Sequence, residues 1–136
     1  MALHARLLTP TDYDTILVEW WTDWGWVAPA RDFLPEGGLS GIIVLDDDTP
    51  VCAGFFYTTN SSAAWVDWII SNKQYKKKPE RKEALLMLIE ILTATCKNLG
   101  FKYVYALIKH PSLVNVYKSI GYEEGDSYNK EMIIKL

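Results

Sequence analysis

Cysteine is scarce in this 136-residue chain: Cys52 and Cys96 alone, both inside apolar patterns. Two such thiols read as buried free side chains rather than a disulfide or a metal site. No CxxC occurs, and His4 and His110, the only histidines, stand far apart, so a zinc site has no support. No stretch reaches the roughly 18 to 20 apolar residues of a membrane span. The opening "MALHARLLTP" carries neither a long apolar run nor a cleavage signal, and a soluble, cytoplasmic protein without a membrane partner is expected. Excess positive charge is also missing. A formal net charge of -3 argues against a general nucleic-acid binder, which would be basic overall. There is no internal repeat and no low-complexity linker. Glycine is absent from residues 75–92, "YKKKPERKEALLMLIEIL", where a basic loop runs into an apolar helix.

Aromatic residues, in contrast, are plentiful: six Trp, eight Tyr and four Phe, enough to line a hydrophobic cleft or an oligomer interface. The length suits one domain that buries about two-thirds of its unfolded surface. "HARLLTP" reads as a first strand ending at Pro10. Thr11 or Asp12 can cap a helix through "DYDTILVEWWTDW". "PARDFLPEGG" reads as a second short helix or turn. Three strands follow, "LSGIIVLDD", "TPVCAGFFYTTN" and "AAWVDWIIS", joined by short polar links that favour antiparallel hairpins. A helix from about Pro79 to Asn98 is apolar around much of its circumference, as a helix packed on a sheet would be. "KYVYALI" is another strand, and "PSLVNVYKSIG" a helix between Pro111 and Gly121. "YEEGDSYNKEMIIKL" gives a last strand or a hairpin about Gly125. This order predicts an α/β (α+β) fold: a mixed, mostly antiparallel sheet flanked by helices.

The order, with "HPSLVNVYKSIGYEEGD" and "ALLMLIEILTATCKNLGFKYVYALI", resembles the GNAT superfamily of acetyl-CoA-dependent N-acetyltransferases. Tyr117 falls at the family tyrosine, and "SIGYEE" matches the family's Gly-aromatic turn. The resemblance covers nearly the whole chain in element order, and its specific residues lie in the C-terminal half. Two positions depart from the family. His110 replaces an asparagine, and "KKKPER" replaces a glycine-spaced phosphate loop. Lysine-rich loop and helix start can be read in two ways. One is a cradle in which Lys76, Lys77, Lys78, Arg81 and Lys82 hold phosphates beside the unpaired N–H groups of the helix end. The other is a solvated turn before a core helix, its Glu80 and Glu83 serving the helix start.

The resemblance implies acetyl-CoA as cosubstrate, no metal, and direct acetyl transfer to an amine of a small molecule or a protein. It implies that Trp68, Ile69, Ile70 and Ser71 of "WVDWIIS" meet the cofactor through the backbone. Tyr117 is the implied general acid; otherwise it is a helix-end tyrosine packed on the sheet. Asp67 is the candidate base, because a carboxylate in an apolar strand either faces solvent or sits in a cleft with a raised pKa. Strict alternation sets Trp65, Asp67 and Ile69 on one face, and Val66, Trp68 and Ile70 on the other. His110 is a cofactor-side candidate or a plain helix-entry residue. Trp20, Trp21, Trp24 and Trp26 fall where the family forms an acceptor wall, and with Glu19, Asp23 and Asp32 would draw a cationic amine. A core or homodimer contact explains the tryptophans equally. The competing function is a non-catalytic GNAT-fold module that binds a protein partner through its Trp-rich surface. Compact size and reduced motifs are compatible with a phage or mobile-element origin.

Overall fold

The computed structural model describes residues 2–136. Five strands form one sheet in the order β1-β2-β3-β4-β5: β1 Leu3–Leu7, β2 Gly41–Asp46, β3 Thr49–Tyr57, β4 Ala63–Ser71 and β5 Tyr103–Tyr105. The first four pair antiparallel in sequence order, β2 to β4 through the short polar links that predict hairpins and β1 to β2 across the helical segment between them, and only β4 and β5 run parallel. The parallel step needs a crossover, which α2 (Lys78–Asn98) provides. A π-helical turn, Tyr13–Leu17, leads into α1 (Val18–Asp23), and α3 (Pro111–Ile120) follows β5.

Both faces of the sheet are covered. On one, Leu88, Ile89, Leu92 and Cys96 of α2 pack with Val44, Cys52, Ala64 and Val66 of the strands and with Tyr117 of α3. On the other, Leu17, Trp20 and Trp21 pack with Ile43, Phe55 and Ile70. The absence of a polar stripe on α2 thus reflects a helix lying on a sheet with a second helix beside it. Both cysteines are free and buried, as expected. Gly100 (φ 96°) and Gly121 (φ 117°) follow α2 and α3 in left-handed backbone, where a side chain would be strained.

Three expectations need correction. Asp12 caps no helix: its carboxylate turns back to accept from Thr9 N–H (2.7 Å) and from Arg6 (2.8 and 3.0 Å). "PARDFLPEGG", read as a short helix or turn, does form two 3-10 turns, Arg31–Phe33 and Pro35–Gly38. The strand at "KYVYALI" is only Tyr103–Tyr105, because its neighbour β4 bends away beyond that point. The last strand does not form: residues 122–136 adopt no helix or strand, since so short a β5 offers little edge for further pairing. No helix among the described residues is long and apolar enough to cross a membrane.

Candidate functional site

The site begins with an irregularity in β4. Phe55 pairs with Asp67 but Ala53 pairs with Ile70, so Gly54 faces both Trp68 and Ile69. One extra residue is therefore inserted in β4, and Trp68 takes φ 57°, a left-handed conformation unusual for a bulky side chain. Gly54 makes room for the bulge. A Cβ there would run into Cδ1 of Ile69 and lie 3.1 Å from Cδ1 of Leu92. The insertion breaks the alternation expected from sequence. Val66 and Ile69 both join the cluster under α2, whereas Trp68 and Ile70 join the opposite one.

On its other edge, β4 loses its partner before the bulge is reached. β4 and β5 are paired only at Ala63, Ala64 and Trp65; beyond these residues the strands part. Asp67 lies at this opening. Facing Phe55 in antiparallel register, it shares the face turned away from α2. One carboxylate oxygen accepts from Trp68 N–H (2.9 Å), and the other from Leu107 N–H (3.4 Å), a weak link across the gap. Burial pushes its pKa up, against the lowering effect of those two N–H groups, and the charge of Glu131 adds to the rise.

Aromatic side chains from β3, β4, β5 and the first 3-10 turn gather on this part of the sheet. Tyr57 donates to the carbonyl of Phe33 (3.2 Å), and its phenol pKa is pushed up to about 12 by burial and by the charge of Asp67. Phe33 and Trp68 meet edge to face at 5.8 Å, and Trp65 and Tyr105 meet at 4.5 Å. None of Phe33, Tyr57, Trp65 and Tyr105 was singled out from the sequence. The period-2 pattern relates Tyr57 to Phe55 on one face; nothing in the chain reveals the register that sets Phe55 opposite Asp67.

Tyr117 approaches the same opening from the other face. Its hydroxyl donates to the carbonyl of Val66 (2.9 Å), one residue before Asp67, and the side chain is 2% exposed. Burial, with the charge of Asp67, raises its pKa well above the ordinary phenol value. Tyr122 packs edge on against it at 4.9 Å. The two residues singled out for proton transfer thus converge on consecutive peptides of β4, at the point where the sheet divides.

The loop from β4 to α2 holds the lysines. Lys76, Lys77, Lys78 and Lys82 are exposed. Lys77 Nζ lies 3.7 Å from Asp46, a buried carboxylate that also accepts from Tyr75 Oη (2.7 Å). The Tyr75 bond, aided by Ala2 N–H and the Lys77 charge, holds the Asp46 pKa below the ordinary carboxylate range. An open hollow of about 460 Å³ lies between this loop and the β2–β3 turn, bounded by Asp46, Thr49, Asn72, Tyr75, Lys76 and Lys77. Arg81 differs from the other cations. Its guanidinium turns into the loop and donates to the carbonyls of Asn72 and Tyr75 (both 2.7 Å).

Of the backbone groups expected to face a cofactor, Trp68 N–H is engaged by Asp67, and Ile70 and Ser71 pair with β3. Ile69 faces the bulge partner Gly54. The tryptophans divide. Trp20 (5% exposed) and Trp21 (2%) are core residues rather than an acceptor wall, because the helix turns its apolar face to the sheet. Trp24 donates to the carbonyl of Ser71 (2.8 Å) and stacks on Trp26 at 5.9 Å, with Lys73 Nζ 5.3 Å from its ring. That stacked pair borders the lysine loop, and Trp26 is 54% exposed. His110 stands exposed ahead of α3, its ring nitrogen 2.7 Å from the Ser112 hydroxyl. Among the described residues no cluster of three or more His, Cys, Asp or Glu could hold a metal ion.

No protein-family model matches the sequence. No curated protein matches it either. Solved structures do match. Glucosamine-6-phosphate N-acetyltransferase from Arabidopsis thaliana superposes with a TM-score of 0.63 at 12% identity, over 98% of this chain and 100% of its own. The ribosomal-protein-S18-alanine N-acetyltransferase from Escherichia coli gives 0.66 at 12% identity, over 92% and 80%. A GNAT family acetyltransferase from Staphylococcus aureus gives 0.61 at 13%, over 98% and 100%. Identities this low speak for architecture alone, and the architecture is plain: a mostly antiparallel five-stranded sheet flanked by helices, the GNAT acyltransferase fold.

Proposed function

We propose that this protein is an acetyl-CoA-dependent N-acetyltransferase that acetylates an amine of a small molecule or protein by direct transfer. The observation that carries the reading is the convergence of Asp67 and Tyr117, from opposite faces, on the stretch of β4 where the sheet divides. The fold, shared with acetyltransferases, supports it.

The residues present fit the cosubstrate. Exposed Lys76, Lys77, Lys78 and Lys82 offer cations for its phosphates at the start of α2, and the gap beside residues 68–71 leaves a path for its arm. His110 stands exposed at the entrance to α3, after β5. Bound acetyl-CoA supplies an activated acetyl group as a thioester. Asp67, its pKa raised by burial, accepts the proton that an ammonium must lose before its nitrogen can attack. Tyr117, protonated at physiological pH, would give its hydroxyl proton to the departing sulfur as the C–S bond breaks once the C–N bond has formed, and would be reprotonated by the second proton that the nitrogen sheds as it becomes an amide. Phe33 and Trp68 pack edge to face, Tyr57 bonds to Phe33, and Tyr57 feels the charge of Asp67, an aromatic environment that favours a cationic acceptor.

Titration calorimetry with acetyl-CoA tests the reading, followed by an assay of free thiol release across a panel of primary amines. Micromolar binding and amine-dependent thiol release are expected. Absence of heat at high cosubstrate concentration overturns the proposal.

A further inference from the structure

We propose that Arg81 is a positioning residue that takes over, from beneath, the part that glycine would play in the loop before α2. This inference rests on the cosubstrate reading above. A loop that binds phosphate must turn peptide N–H groups toward the anion. Here no glycine eases that turn. Instead one nitrogen of Arg81, Nη2, draws two loop carbonyls onto itself, those of Asn72 and Tyr75, each at 2.7 Å.

A trans peptide points its N–H opposite to its C=O. Drawing the Asn72 and Tyr75 carbonyls inward therefore turns the N–H groups of Lys73 and Lys76 outward. Those two, with the N–H groups of Lys77 and Lys78, donate to no acceptor among the described residues. Arg81 lies under the loop rather than over it. Its Nε is buried, and its charge reaches the buried thiol of Cys52 on β3. The loop is pinned from the other side by the Tyr75 hydroxyl on Asp46 (2.7 Å) and by Asn72 Nδ2 on the carbonyl of Pro50 (2.9 Å). The result is a braced turn with free N–H groups and lysine side chains on its outer side, suited to an oxyanion of the phosphate or pyrophosphate class. Arg81 makes no contact with the anion in this arrangement.

The experiment is calorimetric titration of acetyl-CoA into the intact protein and into Arg81→Ala, Arg81→Lys and Lys76→Ala, each at several salt concentrations. Arg81→Ala is expected to weaken binding by about tenfold or more. Arg81→Lys should fall between, because its ammonium has the donors for both carbonyls but a shorter reach to them than Nη2 of Arg81. The distinguishing readout is the dependence of affinity on salt. A residue that contacts phosphate carries part of that dependence, so Lys76→Ala should flatten it. Arg81→Ala should leave the slope unchanged while lowering affinity throughout. Unaltered affinity in Arg81→Ala, or a slope flattened as in Lys76→Ala, overturns the inference and leaves the transferase reading standing. If Arg81→Ala does not fold, Arg81→Lys carries the same comparison. A parent protein that binds no acetyl-CoA removes both proposals together.

Discussion

Tyr117 and Asp67 illustrate how one burial can serve two ends. The Tyr117 hydroxyl satisfies the Val66 carbonyl inside the core, so Tyr117→Phe leaves a buried acceptor unpaired, at a cost of about 1–3 kcal/mol. On the proposed mechanism the same change lowers turnover by roughly a hundredfold or more, with acetyl-CoA affinity little altered. Steady-state kinetics beside calorimetry separates the two effects, and unaltered turnover removes Tyr117 from the chemistry. Asp67 has the opposite character. Its raised pKa means that folding favours the protonated acid, so its stabilising contribution is full below the ordinary carboxylate pKa and is lost as pH rises through the folded value. Asp67→Asn is therefore expected to melt at or above the parent temperature near neutral pH, while amine-dependent thiol release collapses. An Asp67→Asn protein less stable than the parent at neutral pH would count against a desolvated carboxylate.

Among the elements, the bulge in β4 organises the rest, and Gly54 is its partner. Gly54→Ala would press a methyl group against Ile69, Leu88 and Leu92, forcing α2 from the sheet or closing the bulge. A loss of about 1–3 kcal/mol is expected in urea denaturation. The strands and α2 follow from pattern: short unbroken apolar runs in "GIIVLD" and "TPVCAGFFY", as suits strands covered on both faces, and an apolar run too long for a strand in "ALLMLIEIL". The bulge does not. Trp68 is a strand-favouring residue, and its left-handed backbone comes from cross-strand register, which local sequence does not encode. The same gap hid the gathering of Phe33, Tyr57 and Trp68 and put Ile69 on the wrong face. Trp20 and Trp21 misled for another reason. Density of aromatics in "EWWTDWGW" says that some must be exposed, without saying which turn of helix faces the sheet.

For the molecule as a whole, acid and base limbs of stability belong to different carboxylates. Asp46 has its pKa lowered, chiefly by the Tyr75 hydroxyl. Asp12 is also lowered: burial would raise it, but the hydrogen bonds from Arg6 and Thr9 outweigh that. Their contributions are present above the ordinary carboxylate range and vanish as pH falls through the depressed values. Melting curves across acid pH should therefore lose their steepest part in Asp46→Asn, whereas Asp67→Asn should alter only the limb toward neutrality. The strand order has a kinetic consequence. Strands β2 to β4 form a meander from neighbouring segments, but β1 meets β2 only across α1 and the turns after it, and β5 can dock only after the 21 residues of α2 have been traversed. Hairpins close early and long-range seams late, so the β1–β2 and β4–β5 seams are expected to close after the β2–β4 hairpins, and the β4–β5 seam, paired at Ala63, Ala64 and Trp65 alone, to be the weakest line in the native sheet. Amide hydrogens of β5 should exchange sooner than those of β2 and β3, so the parting strands can separate without global unfolding.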